Sequence, residues 1–376
     1  MGHAGDVTEP DIASALGRAR LQRVAEGMSL LRAMAEKLPR EASWVLHLPV
    51  PLQSKEPRAA DQELTRLLPS TGTWFSGVRY DKEGNRSGLA TPFLQLPEPY
   101  SLEGIAAQLT ALDVHGRTGA WWLTHVWRGV QLADAAESAL RVWQILPAAA
   151  CARSLLEGAA AFSCESGDMI GDWDAFKREG TPTVETIRNF AESFGQRLAR
   201  VQFGSRLDES VETKPPIQST NAITYVRRLA KKRPNDTIYD AYEWLCDAVH
   251  PSFGGMTVFV ANQAQHFTRT HHLTQIAWNP LTHPSYEPVI EPTVAIAAAD
   301  TIAVAADEIT ARSAEMKWLI DDIGLTTKVA FTSRLPDHVG ANPEPRRNDR
   351  CPCGSGRKYK ACGLHRWGES GRPPLN

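Results

Sequence analysis

The sequence predicts a mainly α-helical protein: a helical bundle with a small β-hairpin insertion near the N-terminus and a small module tethered at the C-terminus. Apolar residues recur at helical spacing over most of the chain between residues 101 and 333. Aromatic and β-branched residues flank one turn signal before residue 100. Three of the six cysteines lie close together near the C-terminus, after a proline-containing stretch.

The length and charge of the chain set bounds on its organisation. A chain of 376 residues has room for about two or three units. The predicted units are an N-terminal region at 1–100, a helical bundle at 101–333, a linker at 334–347 and a C-terminal module at 348–367. The net charge is −2; residues 341–376 carry eight Lys or Arg against three Asp or Glu, or +5, which leaves −7 for the rest. The body is therefore not expected to coat nucleic acid with a broad basic surface. The tail, in contrast, has the positive charge to contact RNA, phosphate or an acidic protein surface.

The first hundred residues mix helical and extended patterns. Apolar residues from Ile12 to Leu38 predict one amphipathic helix over residues 10–38, which Pro39 ends. Lys82-Glu83-Gly84-Asn85 is a turn signal between two runs of strand-forming residues, and it predicts a hairpin. The remaining expectations in this region are extended structure at 43–53 and 73–97 and a short helix at 59–68.

From residue 101 onward the pattern is helical. Pro147 is expected to kink or restart the chain between two of these helices. The expected helices are 101–112, 120–146, 148–163, 183–203, 220–232, 238–249 and 292–323.

Neither a signal peptide nor a transmembrane helix is expected. Residues 1–23 contain no apolar run, and the most apolar stretch, 294–306, is interrupted by Asp300 and too short to span a bilayer. These features predict a soluble cytoplasmic protein.

The C-terminal module contains a motif typical of a metal site. Cys351, Cys353, Cys362 and His365 form the pattern Cys-x-Cys-x8-Cys-x2-His, the ligand number of a closed tetrahedral zinc site. The intervening glycines allow a sharp turn between the first two cysteines. Few apolar residues lie here, so a bound Zn²⁺ would replace a hydrophobic core.

Other interpretations of these cysteines are weaker. One is a reduced, disordered tail; another is a disulfide framework, which a large chain without export signals does not favour. Four protein ligands leave no open position for water, so the zinc would be structural rather than catalytic.

The same string resembles the SEC-C motif, the small zinc module at the C-terminus of the preprotein translocase ATPase and of many unrelated bacterial proteins. The resemblance implies a zinc finger and covers about twenty residues. It departs from the family where Gly363 follows the third cysteine, the usual place of the fourth ligand, so that His365 is the nearest replacement. The shared residues are Asn348, Asp349, Cys351, Pro352, Cys353, Gly354, Ser355, Gly356, Lys358, Tyr359, Lys360 and Cys362.

A finger of this kind is expected to recruit a protein or RNA partner. Basic and aromatic side chains lie between and beside the zinc ligands and would form the contact surface. These residues are Arg350, Arg357, Lys358, Tyr359 and Lys360.

Within the body, Arg153 and Glu157 stand out on a helix that is apolar on all sides and therefore expected to be buried on all sides. Charges in such a place need partners, and these two can pair at i,i+4. The order Arg before Glu is the weaker one for helix stability. A buried ion pair that fixes the helix register explains the pattern equally, and a functional site is the alternative.

A second internal pattern places Tyr239, Tyr242, Cys246 and His250 on one face of a helix that Pro251 stops. A histidine in the last turn meets the negative end of the helix dipole, which favours its protonated form. His250 could bind an anion or donate a proton, or it could simply satisfy the last carbonyls of its helix.

Together the two helices weakly resemble the all-helical HEPN nucleotide-binding and ribonuclease bundles, over about residues 120–255. The resemblance implies an enzyme acting on RNA or a nucleotide, with Arg153 as phosphate clamp, His250 as general acid or base, and Glu157 and Tyr242 in the same pocket. Active HEPN members carry Arg-x4-6-His on one helix. Here that spacing occurs only from Arg40 to His47, in a segment expected to be extended.

Other chemistry finds little support. The five histidines between residues 250 and 283 have no spacing that makes a second metal site, and the chain contains no Gly-rich phosphate loop or Gly-x-Ser-x-Gly elbow. Cys151, Cys164 and Cys246 lie in apolar helical segments, where core thiols are more common than nucleophiles.

Overall fold

The protein is described here from a computed structural model. The structure describes residues 8–38, 43–47, 72–80, 86–94, 102–180, 183–203, 219–251, 253–278, 291–326 and 329–332, together with Asn348 and Lys358. The chain divides into two compact units. Unit 1 contains residues 1–38, 122–171 and 203–318, and unit 2 contains residues 39–121, 172–202 and 319–376.

Most of the described residues are helical, which confirms the predicted mainly α class. The α-helices are α1 Glu9–Leu16, α2 Arg18–Ala35, α3 Leu102–Arg141, α4 Ile145–Arg178, α5 Val184–Phe203, α6 Ala222–Lys232, α7 Ile238–Val249, α8 Phe253–Thr257 and α9 Glu291–Thr326. A 3-10 turn, Pro234–Asp236, joins α6 to α7. The short helix expected at 59–68 lies outside the described residues, as does the linker expected at 334–347.

The N-terminal helix is two helices rather than the single one expected over residues 10–38. Gly17 ends α1 with φ of 83°, a left-handed value that glycine adopts without steric cost. At the start of α1, the carboxylate of Asp11 accepts a hydrogen bond of 3.0 Å from the backbone N–H of Thr8.

The break between α3 and α4 also differs from expectation. Residues 102–141 form one continuous helix, although two were expected, and the chain turns at residues 142–144 rather than at Pro147. Trp143, fully buried, has φ of 55° in this turn. Pro147 lies in the first turn of α4, where its missing N–H costs no helical hydrogen bond.

The core of unit 1 is built from α4, α6, α7 and α9. Leu156, Leu229, Ile238 and Val304 represent these four helices in one buried cluster. α2 is joined to α9 by ion pairs from Arg20 and Arg23 to Asp300, at 2.8 and 2.7 Å. α3 also approaches α9 closely, since a Cβ added to Gly129 would lie 2.7 Å from the Ile309 side chain.

Unit 1 also contains a hairpin that the sequence patterns did not predict. β4, Val260–Phe267, pairs antiparallel with β5, His272–Trp278. All seven residues of β5 are exposed. Three Ala and one Asn among the fifteen residues of these strands have low strand propensity, and this weakens the pattern.

Unit 2 contains a four-stranded antiparallel sheet and an aromatic cluster. The sheet has the order β1-β2-β3-β6, with β1 Ser43–His47, β2 Gly72–Tyr80, β3 Arg86–Leu94 and β6 Val329–Thr332. Pairing of β2 with β3 confirms the expected hairpin, and the short strand β6 was not predicted. The rings of Trp173, Phe176, Phe190 and Phe194 pack together with neighbouring centroids 4.4 to 5.8 Å apart.

One described helix, α4, is long and apolar enough to cross a membrane by length and composition, with a mean hydropathy of 1.3 in its best window. Half of that window is buried inside the protein, so packing accounts for part of its apolar composition. The criterion is met by α4, although the sequence predicted no transmembrane helix and residues 294–306 were expected to be the most apolar stretch.

Candidate functional site

The candidate site in the body lies where α4 meets α7, within unit 1. Arg153 and Glu157 are one turn apart on α4, and Arg153 Nε lies 3.2 Å from Glu157 Oε1. The hydroxyl of Tyr242, on α7, donates a 3.0 Å hydrogen bond to the same carboxylate oxygen. The guanidinium of Arg153 lies 6.0 Å from the centroid of the Tyr242 ring. Three of the four residues proposed for this site therefore form one cluster.

This cluster is less buried than the sequence predicted. The side chains of Arg153 and Glu157 are 28% and 26% exposed. α4 is thus not buried on all sides at this level. A pair that keeps about a quarter of its side-chain surface exposed avoids part of the desolvation cost of a fully buried one.

The environment keeps Tyr242 and Cys246 protonated. Burial is the largest cause that raises the pKa of Tyr242, and its hydrogen bonds with Cys246 and Glu157 raise it further. Burial likewise raises the pKa of the Cys246 thiol. Burial of the Arg153 guanidinium works against its charge, but Cys246, Glu157 and Tyr242 together raise its pKa. Both acidic groups are therefore donors near neutral pH, and neither is activated as a nucleophile.

His250 lies directly after α7, and its backbone N–H donates a 3.0 Å hydrogen bond to the carbonyl of Cys246. Its side chain lines an open cleft of about 500 Å³ together with Tyr242. The structure thus places His250 beside the cluster of α4 and α7, on the Tyr242 side.

The cleft also contains two carboxylates that the sequence patterns missed, Glu243 and Asp247. Their spacing of four residues on α7 was the available signal. A Cβ at Gly254 would overlap the Asp247 carboxylate, so a larger residue at this position would displace that side chain. Two carboxylates oppose the binding of an anion at His250, which was one of the two roles considered for it.

Deeper in unit 1, a polar network joins three helices. Ser163 donates to Glu308 at 2.5 Å, and Arg233 and Arg312 each lie 3.2 Å from the same carboxylate. Tyr225 donates a 2.5 Å hydrogen bond to the buried Glu165. These contacts satisfy buried charges and fix helix positions. The Glu308–Arg312 pair has i,i+4 spacing, whereas the contacts between helices have no signal in the local sequence.

The thiols of the body are free cysteines. Cys164 is buried and its pKa is raised, chiefly by burial, while Cys151 and Cys246 are partly exposed. Among the residues that the structure describes, no group of three or more His, Cys, Asp or Glu side chains could hold a metal ion.

The four predicted zinc ligands, Cys351, Cys353, Cys362 and His365, lie outside the described residues. So do Arg350, Arg357, Tyr359 and Lys360 of the predicted contact surface, whereas Lys358 is described and exposed. The chemistry of the donor set fits zinc, because three thiolates and one imidazole are the soft and borderline ligands that structural Zn²⁺ takes in tetrahedral sites.

Comparison with known proteins bears on the C-terminal segment alone. No curated protein and no solved structure matches the chain. The resemblance of the body to HEPN bundles is not shown by these comparisons. One family model matches residues 347–362, a segment that includes Cys351, Cys353 and Cys362 and ends before His365. It is the model of the SEC-C motif, a motif of zinc-binding type, as the cysteine spacing predicts.

Proposed function

We propose that this is a cytoplasmic bacterial adaptor whose C-terminal SEC-C finger recruits a protein or RNA partner. The observation that carries the proposal is the match of residues 347–362 to the SEC-C motif. In this proposal the helical body is a separate folded part of the chain, and the finger provides the binding surface.

The finger holds one structural Zn²⁺ through Cys351, Cys353, Cys362 and His365. The spacing of the three cysteines within the matched segment supports the thiolate ligands. His365 completes the set because it is the nearest imidazole after the third cysteine. When bound, the ion supplies the folding energy that a segment with few apolar residues lacks.

The partner is an acidic protein surface or the phosphate backbone of RNA. Residues 341–376 carry +5, whereas residues 1–340 carry −7, so the positive charge is concentrated at the finger. Arg357, Lys358 and Lys360 lie between the second and third cysteines, where a folded finger would display them together. A surface this small gives weak, reversible binding.

The test compares the full chain with two variants in pull-downs from cells of the source organism. Deleting residues 341–376 should leave the circular dichroism and melting of the body unchanged and abolish recovery of the partner. Charge reversal at Arg357, Lys358 and Lys360 should keep the bound zinc and also lose the partner. Treatment with ribonuclease distinguishes an RNA partner from a protein. A deletion variant that keeps its partner contradicts the proposal.

A HEPN-like enzyme acting on RNA or a nucleotide is the second candidate. The hydrogen-bonded cluster of Arg153, Glu157 and Tyr242, beside the cleft at His250, is the observation in its favour. Against it are the raised pKa of Tyr242 and the carboxylates in the cleft. His47, the only histidine at the HEPN spacing, lies in strand β1. Loss of ribonuclease or nucleotide-hydrolase activity in His250→Ala, with an unchanged melting temperature, would favour the enzyme.

A further inference from the structure

A groove at the N-terminal edge of unit 1 is separate from both sites described above. It has a volume of about 680 Å³ and lies between α1, the first half of α2 and the end of α3. Its apolar wall consists of Ile12, Leu21, Val24 and Leu140. Small-molecule sites in proteins have volumes of about 300–1,000 Å³ and mainly apolar walls.

The polar side of the groove contains a buried carboxylate held by two arginines. The Glu137 side chain is only 5% exposed and lines the groove. Arg141 Nη2 lies 2.8 Å from one of its oxygens, and Arg32 Nη2 lies 2.5 Å from the other. Burial alone would raise the pKa of Glu137, but the hydrogen bonds from Arg141 and Arg32 lower it. Glu137 is therefore ionised and fully engaged with its partners.

The same side keeps positive charge available to a ligand. Arg141 is 67% exposed and uses Nε and Nη2 on Glu137, which leaves the other Nη nitrogen of its guanidinium for a further acceptor. Arg18 lines the groove as well, is exposed, and makes no ion pair with any residue in the described part of the chain.

Helix stability does not account for Arg18. It occupies the first position of α2, and no acidic residue lies in that turn. Cations at this end of a helix are disfavoured by the helix dipole. Arg32 also pairs with Asp134, at 2.6 Å, and these two charges cancel. The charged residues that line the groove are Arg18, Arg141 and Glu137, which together carry a net charge of +1.

We propose that this groove binds a small amphipathic anion, an apolar chain that ends in a carboxylate. The chain lies on Leu21 and Ala25, apolar residues of the groove that remain accessible, and the carboxylate accepts hydrogen bonds from Arg18 and Arg141. Charge complementarity selects the anion, because a cationic head group would face two guanidiniums. The proposal is independent of the C-terminal finger.

The test titrates the purified protein with three probes that share a twelve-carbon chain, each below its micelle concentration or its solubility limit. Dodecanoate, dodecanol and dodecyltrimethylammonium differ in the charge of the head group. Isothermal titration calorimetry should give one dodecanoate site, at least about tenfold weaker binding of dodecanol, and the weakest binding of the cation. Equal binding of the three probes, or no saturable dodecanoate site, overturns the proposal.

Variants locate the site. Arg18→Glu should weaken dodecanoate binding at least about tenfold, whereas Lys231→Glu, an equal charge change at an exposed position on α6, should not. Ala25→Phe fills the groove and should abolish binding, whereas Ala19→Phe, on an exposed part of the same helix, should leave it unchanged. Unchanged affinity in both Arg18→Glu and Ala25→Phe places the ligand elsewhere and overturns the assignment.

Discussion

The helical body and the C-terminal segment differ in their content of large apolar side chains. In the body, large side chains such as Trp143, Phe162 and Leu155 are at most 1% exposed, so apolar burial stabilises the helices. Residues 348–367 contain few large apolar side chains, chiefly Tyr359, Leu364 and Trp367. A core spreads its stability over many contacts, whereas a metal site loses its structure as a whole when one ligand is removed. This difference predicts that the helical body and the C-terminal segment lose their structure independently of each other.

The largest effect is expected from Cys353→Ser. Structural zinc in small fingers contributes about 10–16 kcal/mol of apparent binding free energy at neutral pH, and most of this is lost with one thiolate. The bound zinc, measured by mass spectrometry of the purified protein, should fall from about one ion per chain to a small fraction. The melting temperature of the helical body should not change.

Cys151→Ser is the matched control, since Cys151 lies on α4 and outside the motif. It should retain the full zinc content. If Cys353→Ser instead lowered the melting temperature of the helices by several degrees, the body and the segment would be one cooperative unit and the comparison would fail.

The body was predictable from sequence where periodicity and stop signals agree. The helix expected at 238–249 is observed as Ile238–Val249, because its apolar face is regular and His250-Pro251 follows it. The breaks at Gly17 and Trp143 depend on positive φ values, which periodicity does not encode. The Arg153–Glu157 pair could be predicted from i,i+4 spacing, and its contact with Tyr242 is a cross-helix contact that the structure adds.

The groove could not be predicted from sequence at all. It combines residues 12–25 with residues 137–141, which lie more than a hundred positions apart in the chain. Nothing in local spacing joins Arg18 to Arg141, and only packing of α2 against the end of α3 brings them to one wall. For the C-terminal segment the situation is the reverse, since the ligand types and their spacing alone identify the motif.

A second effect, of intermediate size, concerns pH and unit 2. Burial lowers the pKa of His115 from 6.5 to about 4, and Asp321 opposes this only in part. Because the folded protein binds this proton less readily than the unfolded chain, stability is complete above about pH 6.5 and falls as the pH decreases toward 4. The loss from this group approaches about 3 kcal/mol.

Chemical denaturation at pH 7.5 and pH 5 should show about 2 kcal/mol of this loss, because the full loss is reached only below about pH 4. His115→Gln removes the titrating group and should flatten the pH dependence by a corresponding amount. His115 lies in the helical body and not in the C-terminal segment, so the acid sensitivity should persist in a variant that lacks residues 341–376. An equal pH dependence in wild type and His115→Gln would assign the effect to other groups.

The smallest effect is expected from Tyr242→Phe, which tests how the cluster on α4 and α7 is stabilised. The substitution removes the 3.0 Å hydrogen bond to Glu157 and the hydrogen bond with Cys246 and keeps the ring, while Arg153 remains paired with the Glu157 carboxylate. Since Glu157 is partly exposed and retains a partner, the loss should be about 1–2 kcal/mol, at the usual value of about 1 kcal/mol or less for each hydrogen bond. Tyr239→Phe, which breaks a 3.1 Å bond to the exposed Arg227, should cost less and serves as the control. Urea denaturation of both variants measures the difference. A loss of several kcal/mol in Tyr242→Phe would mean that the cluster behaves as a fully buried network and not as the partly exposed contact that its solvent exposure indicates.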